Sequence, residues 1–102
     1  MFTIDDVRTL CQKGTIKWSL HVSERMQKRN ISPEDVLHCL MHGEIIEDYP
    51  DYWLNPAALI FGCKLDGQII HVVVGLDDFV HIVTVYYPNL EKFEPDLKTR
   101  RK

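Results

Sequence analysis

The hydrophobic period of the chain changes once, at Gly43, and this change limits the folds that the sequence can adopt. Before Gly43, apolar residues recur at helical spacings. After it, four short runs rich in β-branched and aromatic residues follow one another with no helical pattern between them. Consecutive strands of this kind pair antiparallel, since parallel pairing needs a crossover connection. The order predicts an α+β domain, with three N-terminal helices packed on one face of a four-stranded antiparallel meander.

The three helices are predicted from the residues at their ends. Thr3 is a candidate N-cap for the first helix, and Gly14 is a plausible stop. The second helix is expected over residues 19–29. The third is expected to begin after Ser32, which is followed by proline at the first helical position, and to end at Gly43.

The four strands are expected in the segments EIIEDY, AALIFGCK, QIIHVVVG and FVHIVTVYY. Asp66-Gly67 separates the second and third segments and predicts a two-residue hairpin that pairs Leu65 with Gln68. A tight turn at Asp77-Asp78 would extend the same parity to the fourth strand, whereas one extra loop residue would exchange its faces. The helix-facing set is then Phe61, Val72, Val83 and Val85, and the opposite set is His71, Thr84 and Tyr86.

Length and charge narrow the class of protein. The 102 residues, 45% apolar and 26% charged, fit a single domain over 1–102, with a partly irregular tail over 91–102. Apolar runs end well before the ~18 residues of a membrane span, and the N-terminus lacks the pattern of a signal peptide, so a cytoplasmic protein without membrane association is expected. The three cysteines predict free thiols. The net charge of −3 argues against coating of nucleic acid through bulk charge.

A row of basic side chains runs along the second helix beside a row of apolar ones. The two rows are His21, Arg25 and Arg29, and Trp18, Val22 and Met26. This spacing places the basic row at the rim of the core, where guanidinium groups suit a carboxylate, a phosphate or an ordered loop. An alternative is purely structural: Arg25 or Arg29 holds an acidic residue of the first strand. The candidates for that role are Glu44, Glu47 and Asp48.

Three histidines outside this row have ordinary explanations as well as functional ones. His38 and His42 share a helical face, but the helix dipole also favours histidine in a last turn and no third ligand has convincing spacing, so no metal is expected. His71 interrupts an apolar strand, either as a half-buried residue with satisfied hydrogen bonds or as a reactive imidazole. Tyr86, on the same predicted face, fills the sheet or works with His71.

Four segments carry a resemblance to a known family: HVSERMQKRNIS, GEIIEDYP, IIHVVV and TVYYPNLEKFEPDLKTRR. In this order and spacing they resemble a bacterial and archaeal domain-of-unknown-function family with an H-V-V strand motif. The resemblance implies a small fold similar to RelE/ParE and BrnT toxins, and a small antitoxin partner of the zinc-finger type. Tyr87 and Phe93 depart from the pattern, because the family commonly has an acidic residue and tryptophan there.

The resemblance also implies which polar residues form a site. Carried over by position, these are His21, Glu24, Arg25, Arg29, His71, Tyr86 and Lys92. His21, Arg25, Arg29, His71 and Tyr86 are the catalytic candidates. Glu24 and Lys92 are substrate-binding candidates, and Thr84 joins them because strand parity places it on the His71 face.

Two functions are compatible with these residues. The first is a metal-independent, cofactor-free endoribonuclease of the toxin type, in which a ribose 2′-hydroxyl attacks the adjacent phosphorus. His71 or His21 would serve as base or acid, the arginines would stabilise the phosphate, and Tyr86 would orient or protonate it. The second is a non-catalytic binding module that joins a small antitoxin or regulator through a strand edge or an apolar groove.

Overall fold

The computed structural model describes residues 1–52 and 55–102, and in these residues the chain forms three helices and five strands. The α+β class predicted from the sequence is confirmed. In chain order the elements are α1 (Ile4–Gln12), β1 (Ile16–Trp18), α2 (Leu20–Lys28), α3 (Pro33–His42), β2 (Glu44–Tyr49), β3 (Ala57–Cys63), β4 (Ile69–Leu76) and β5 (Val80–Tyr86).

The first and third helices begin at the N-caps that the sequence predicts. The hydroxyls of Thr3 and Ser32 accept backbone N–H groups three residues on, and Asp6 and Asp35 return the bond to complete capping boxes. Ser19 caps α2 in the same way, without the reciprocal carboxylate. These caps satisfy N–H groups that the helices leave unpaired, and they fix where each helix starts.

The five strands form one mixed sheet in the order β1-β5-β4-β3-β2. The meander from β2 to β5 is antiparallel, as predicted, but β1 adds a fifth strand that runs parallel to β5. The four-stranded, wholly antiparallel prediction was therefore wrong in this detail. At three residues, β1 is too short to show the alternation by which a strand is detected in a sequence.

The β3–β4 hairpin has a three-residue loop, not the two-residue loop predicted. Lys64 N–H donates to Gln68 O at 2.9 Å, and Gly67, with φ +92°, donates back to Lys64 O at 2.9 Å. The extra loop residue shifts the register by one, so that Phe61 pairs with His71. Phe61 therefore lies on the same face as His71, and its predicted place against the helices was wrong.

A β-bulge at Val83, opposite Val73 and Val74, makes the register differ from the predicted one in a second place. Val73 pairs with Thr84 while Val74 pairs with Ile82, so Val83 has no direct partner in β4. Ile82 consequently takes the buried place on the helix face that the sequence assigned to Val83.

The two faces of the sheet are covered by different layers. On one face the helices bury an aliphatic core; its sheet residues are Ile60, Ile70, Val72, Val74, Val80, Ile82 and Val85. The other face carries His71, Thr84 and Tyr86, as predicted, because His71 pairs directly with Tyr86. Residues 89–101, called here the C-terminal strap, contact this second face through Phe93, Leu97 and Arg100.

The state of the three cysteines agrees with the prediction from the sequence. Cys11, Cys39 and Cys63 are all free thiols, as expected, and burial raises the pKa of Cys39 to about 12. Within residues 1–52 and 55–102, the chain has no helix with the length and apolar character needed to cross a membrane.

Candidate active site

A cleft of about 300 Å³ opens where the end of α2, strand β5 and the C-terminal strap meet. It is lined by Arg29, Thr84, Tyr86, Asn89, Lys92, Phe93 and Arg100. Arg29 is the C-cap of α2, and the alternation of β5 turns Thr84 and Tyr86 to the same side. The other four lining residues belong to the C-terminal strap, which closes the cleft.

His71 lies directly behind Tyr86, fully buried and bonded through both ring nitrogens. Its Nε2 is 2.7 Å from the Leu97 carbonyl oxygen, and its Nδ1 is 3.2 Å from the Tyr86 hydroxyl oxygen. A carbonyl oxygen only accepts hydrogen bonds, so Nε2 carries the proton of the neutral ring. Nδ1 is then an acceptor, and the Tyr86 hydroxyl donates to it.

Burial sets the charge of this pair. It lowers the pKa of His71, because an imidazolium would lose its hydration, and it raises the pKa of Tyr86 for the corresponding reason. Aromatic edges surround the imidazole: the Phe93 ring lies 4.7 Å away between centroids, and the Phe61 ring 6.0 Å away. At neutral pH the site therefore holds a neutral imidazole and a protonated phenol.

Arg29 is fixed to the sheet at the mouth of the cleft. The Arg29 Nη1 donates to Val85 O at 2.5 Å, and the Tyr87 hydroxyl donates to the Arg29 carbonyl oxygen at 2.6 Å. The first bond forms because β1 ends at Trp18, opposite Ile82, and leaves the later part of β5 without an outer strand. Arg29 thus completes the sheet and also lines the cleft.

Arg100 is held by a bidentate pair with Glu47. Its Nε and Nη2 each lie 3.0 Å from a carboxylate oxygen of Glu47, and its guanidinium lies 4.8 Å from the Phe93 ring centroid. Tyr49 also donates a hydrogen bond to Glu47. The bonds from Arg100 hold the pKa of Glu47 below its usual value, while that carboxylate raises the pKa of Arg100.

The structural alternative for the α2 arginines was therefore wrong in its partners. Glu47 is paired with Arg100, and the Glu44 Oε1 atom lies 3.0 Å from Lys98 Nζ. Arg29 instead donates to a backbone carbonyl, and Arg25 is exposed. The two strand glutamates thus anchor the strap.

The structure brings five of the eight predicted site residues together. Arg29, Thr84, Tyr86 and Lys92 line the cleft, and His71 lies behind it. The other three, His21, Glu24 and Arg25, are exposed on α2 and are not among the residues lining the cleft. Their part in a reaction stays a prediction.

Sequence reasoning missed the strap residues of the cleft other than Lys92, which are Asn89, Phe93 and Arg100. It named Glu47 as a possible acidic partner, but of Arg25 or Arg29 and not of Arg100. The basic cluster at the C-terminus was the available signal, but it has no periodicity that would point to a partner 53 positions earlier.

The histidine pair of α3 does not form a metal centre with neighbouring groups. The His38 and His42 rings lie 4.7 Å apart, and His38 Nδ1 lies 3.0 Å from Cys63 O. Among the residues that the structure describes, no group of three or more His, Cys, Asp or Glu side chains is placed to hold a metal ion.

Comparison with known proteins gives one match. A family model described as "Domain of unknown function (DUF4258)" matches residues 18–87, which span the elements from α2 to β5. The strap lies beyond the matched part. No curated protein and no solved structure matches the chain. The similarity to RelE/ParE and BrnT toxins stays a prediction.

Proposed function

Because the chain belongs to the DUF4258 family, whose description names no activity, we propose a function from the cleft itself: the protein is the toxin of a toxin–antitoxin pair and cleaves RNA without a metal. The observation that carries the proposal is the position of the Tyr86 hydroxyl. Tyr86 lines a cleft with three cationic side chains, and its hydroxyl donates to a buried, neutral imidazole behind it. Two features of an acid–base site, a proton acceptor and local positive charge, thus meet at one phenol.

The proposed reaction starts with a proton relay through Tyr86. The ribose 2′-hydroxyl gives its proton to the Tyr86 oxygen as the Tyr86 proton passes to Nδ1 of His71. The 2′-oxygen forms a bond to the adjacent phosphorus, and the bond from phosphorus to the 5′-oxygen breaks. His71 never touches the RNA, which its complete burial would prevent. The concerted transfer avoids a free tyrosinate, which the raised pKa of Tyr86 disfavours. Burial also disfavours the imidazolium that forms on His71, but the Leu97 carbonyl and the Glu47 carboxylate both act to raise the pKa of His71 and so stabilise this transient cation.

Lys92 completes the proton balance. Its exposed ammonium lines the cleft and donates a proton to the departing 5′-oxygen. The products are a 2′,3′-cyclic phosphate and a 5′-hydroxyl. Afterwards the proton on His71 returns through Tyr86 to solvent, and Lys92 regains a proton from water.

Three cations counter the negative charge of the reacting phosphate. Arg29, Lys92 and Arg100 line the cleft, although the whole chain carries a net charge of −3. Glu47 occupies Nε and Nη2 of Arg100, which leaves Nη1 for a phosphate oxygen. Charge concentrated in this way supports binding of one phosphodiester without a basic surface overall.

The proposal is tested by removing the Tyr86 hydroxyl. Tyr86→Phe should lower the rate of RNA cleavage, measured with excess chelator, by about 10²–10⁴-fold, the range for loss of a positioned acid–base group. Tyr52→Phe is the matched control at an exposed tyrosine outside the cleft and should keep the full rate. Unchanged cleavage by Tyr86→Phe would remove Tyr86 from the mechanism.

A second candidate function is supported by the free edge of the sheet. Among the residues that the structure describes, β2 is the last strand in the order and pairs with β3 alone, so its outer backbone groups are available to an added strand. In this case the protein is a non-catalytic module that binds a small antitoxin or regulator. Toxicity in cells would then survive Tyr86→Phe and be lost with Ile46→Pro, which removes a backbone N–H from β2.

A further inference from the structure

The C-terminal strap covers the imidazole of His71 from outside the part of the chain that the family model matches. The match ends at residue 87, and the strap supplies both the Leu97 carbonyl that accepts from His71 Nε2 and the Phe93 ring packed on the imidazole. The burial of His71 therefore depends on a segment that the matched region does not contain.

The strap has its own hydrogen-bonded turn, which aims the Leu97 carbonyl. Leu97 N–H donates to Glu94 O at 2.8 Å, and Glu94 N–H donates to Thr99 O at 2.8 Å. The Asp96 carboxylate accepts the N–H groups that follow the turn. Leu97 has φ +58°, a conformation that a leucine rarely adopts, so the surrounding bonds maintain it.

Two anchors join this turn to the sheet. Phe93 is buried against His71, and an isolated bridge links Phe93 to Arg100. Arg100 then reaches Glu47 of β2 with its bidentate pair. The anchors lie on both sides of Leu97 along the chain, so they hold its carbonyl over the imidazole.

We propose that the strap is a tautomer lock: it holds His71 with the proton on Nε2, and Glu47, through Arg100, is a positioning residue for that state. Neutral imidazole can carry its proton on either nitrogen. With the proton on Nδ1, the ring would donate to Tyr86 and leave the Leu97 carbonyl facing a bare nitrogen. The catalytic importance of the lock rests on the function proposed above, whereas the lock itself is a property of the free protein.

Nitrogen NMR of the His71 ring in the full-length chain at neutral pH tests the lock. The wild-type ring should carry its proton on Nε2. Glu47→Gln weakens the bidentate pair between Glu47 and Arg100, called here the clamp. It should lower the ratio of the Nε2–H to the Nδ1–H form by about tenfold, the loss expected for one net hydrogen bond. Asp48→Asn, an amide replacement at the exposed neighbouring position, should leave the ratio unchanged.

A second variant keeps the test valid if Glu47→Gln does not fold. Arg100→Lys keeps the charge but cannot form the bidentate pair, and it should shift the tautomer in the same direction. Leu97→Gly keeps the carbonyl and relieves the left-handed φ, so the Nε2–H form should persist. A wild-type ring protonated on Nδ1, or a ratio that neither clamp variant changes, would overturn the lock.

The outcome separates the lock from the proposed reaction, because the spectrum needs no RNA. A locked ring in a protein that does not cleave RNA would leave the lock standing and remove the reaction. RNA cleavage by a wild-type protein whose His71 ring populates both tautomers would remove the lock and leave the reaction.

Discussion

The two faces of the sheet are specified in different ways. On the helix face, aliphatic side chains such as Ile60 and Val72 pack into a core in which no single atom requires a particular partner. On the strap face, His71 is bonded to one specific acceptor and one specific donor, and Arg100 is bonded to one specific carboxylate. The first face tolerates any similar pattern of apolar residues, whereas the second depends on individual atoms. Stability should therefore follow the first face and chemistry the second.

The largest stability effect should come from the helix face. Ile60→Ala removes a fully buried side chain and should lower the free energy of unfolding by about 2–5 kcal/mol in chemical denaturation. Leu65→Ala, in the exposed β3–β4 loop, should change it by less than about 0.5 kcal/mol. Equal losses in the two variants would contradict the location of the core.

A smaller loss is expected where α3 approaches the sheet. A Cβ at Gly62 would lie 2.6 Å from Cys39 Sγ and 3.0 Å from Cys39 O, so Gly62→Ala should cost about 1–3 kcal/mol of unfolding free energy. Gly14→Asn is the comparison, since no atom lies within 4 Å there and asparagine tolerates its positive φ. Thermal or urea unfolding measures both. A Gly62→Ala variant as stable as the wild type would show that α3 and the sheet can move apart to admit the added methyl group.

The strap face should show itself in the pH dependence of stability. The folded pKa of His71 lies below the unfolded value of about 6.5, so the contribution of His71 is complete above pH ~6.5 and is lost as the pH falls from there through the folded pKa. The slope from this residue is at most about 1.4 kcal/mol per pH unit. His71→Gln should flatten the curve of unfolding free energy between pH 7 and pH 5.

The control for this curve is His21→Gln, the same substitution on the exposed surface of α2. It should leave the pH dependence in place. If both variants follow the wild-type curve, His71 is not a buried neutral imidazole in solution, and the contrast between the two faces disappears.

The smallest effect is expected at Arg25, which is exposed one turn before Arg29. Arg25→Ala should change the unfolding free energy by less than about 0.5 kcal/mol. If Arg25 contacts a flanking phosphate, the variant should reduce the slope of log affinity for single-stranded RNA against log salt by about 0.7. If Arg25→Ala abolishes RNA cleavage and Arg29→Ala reduces it less, the site extends along α2 outside the cleft.

The sequence predicts the helices and the general composition of the core because these depend on local patterns. Thr3 and Ser32 mark helix starts through bonds to residues three positions away. His71, Thr84 and Tyr86 were placed on one face by strand alternation alone, and they lie there. Arg29 was likewise correctly placed at the rim, although its bond to Val85 was not foreseen.

The errors arise where one residue changes the register. Gly67 adopts its positive φ as the last residue of a three-residue loop, and the pair Asp66-Gly67 is compatible with both loop lengths. The bulge that displaces Val83 has no signature in a run of β-branched residues. These two shifts moved Phe61 and Val83 out of the predicted core.

The strap could not be predicted because its contacts are long-range and irregular. The bond from His71 to Leu97 spans 26 positions and depends on a left-handed leucine in a turn without helical or strand periodicity. The partner of Arg100 lies 53 positions away. Such bonds leave only a basic composition in the sequence, which is equally typical of a solvated tail.

The chemistry of the RNA ends that the purified protein produces with excess chelator tests the proposed reaction most directly. The reaction should leave a 2′,3′-cyclic phosphate and a 5′-hydroxyl, identified by mass spectrometry, with no cut at a position whose ribose is 2′-deoxy, and these products should be lost with Tyr86→Phe. Ends carrying a 5′-phosphate, cuts at the 2′-deoxy position, or intact RNA with the wild-type protein would contradict it.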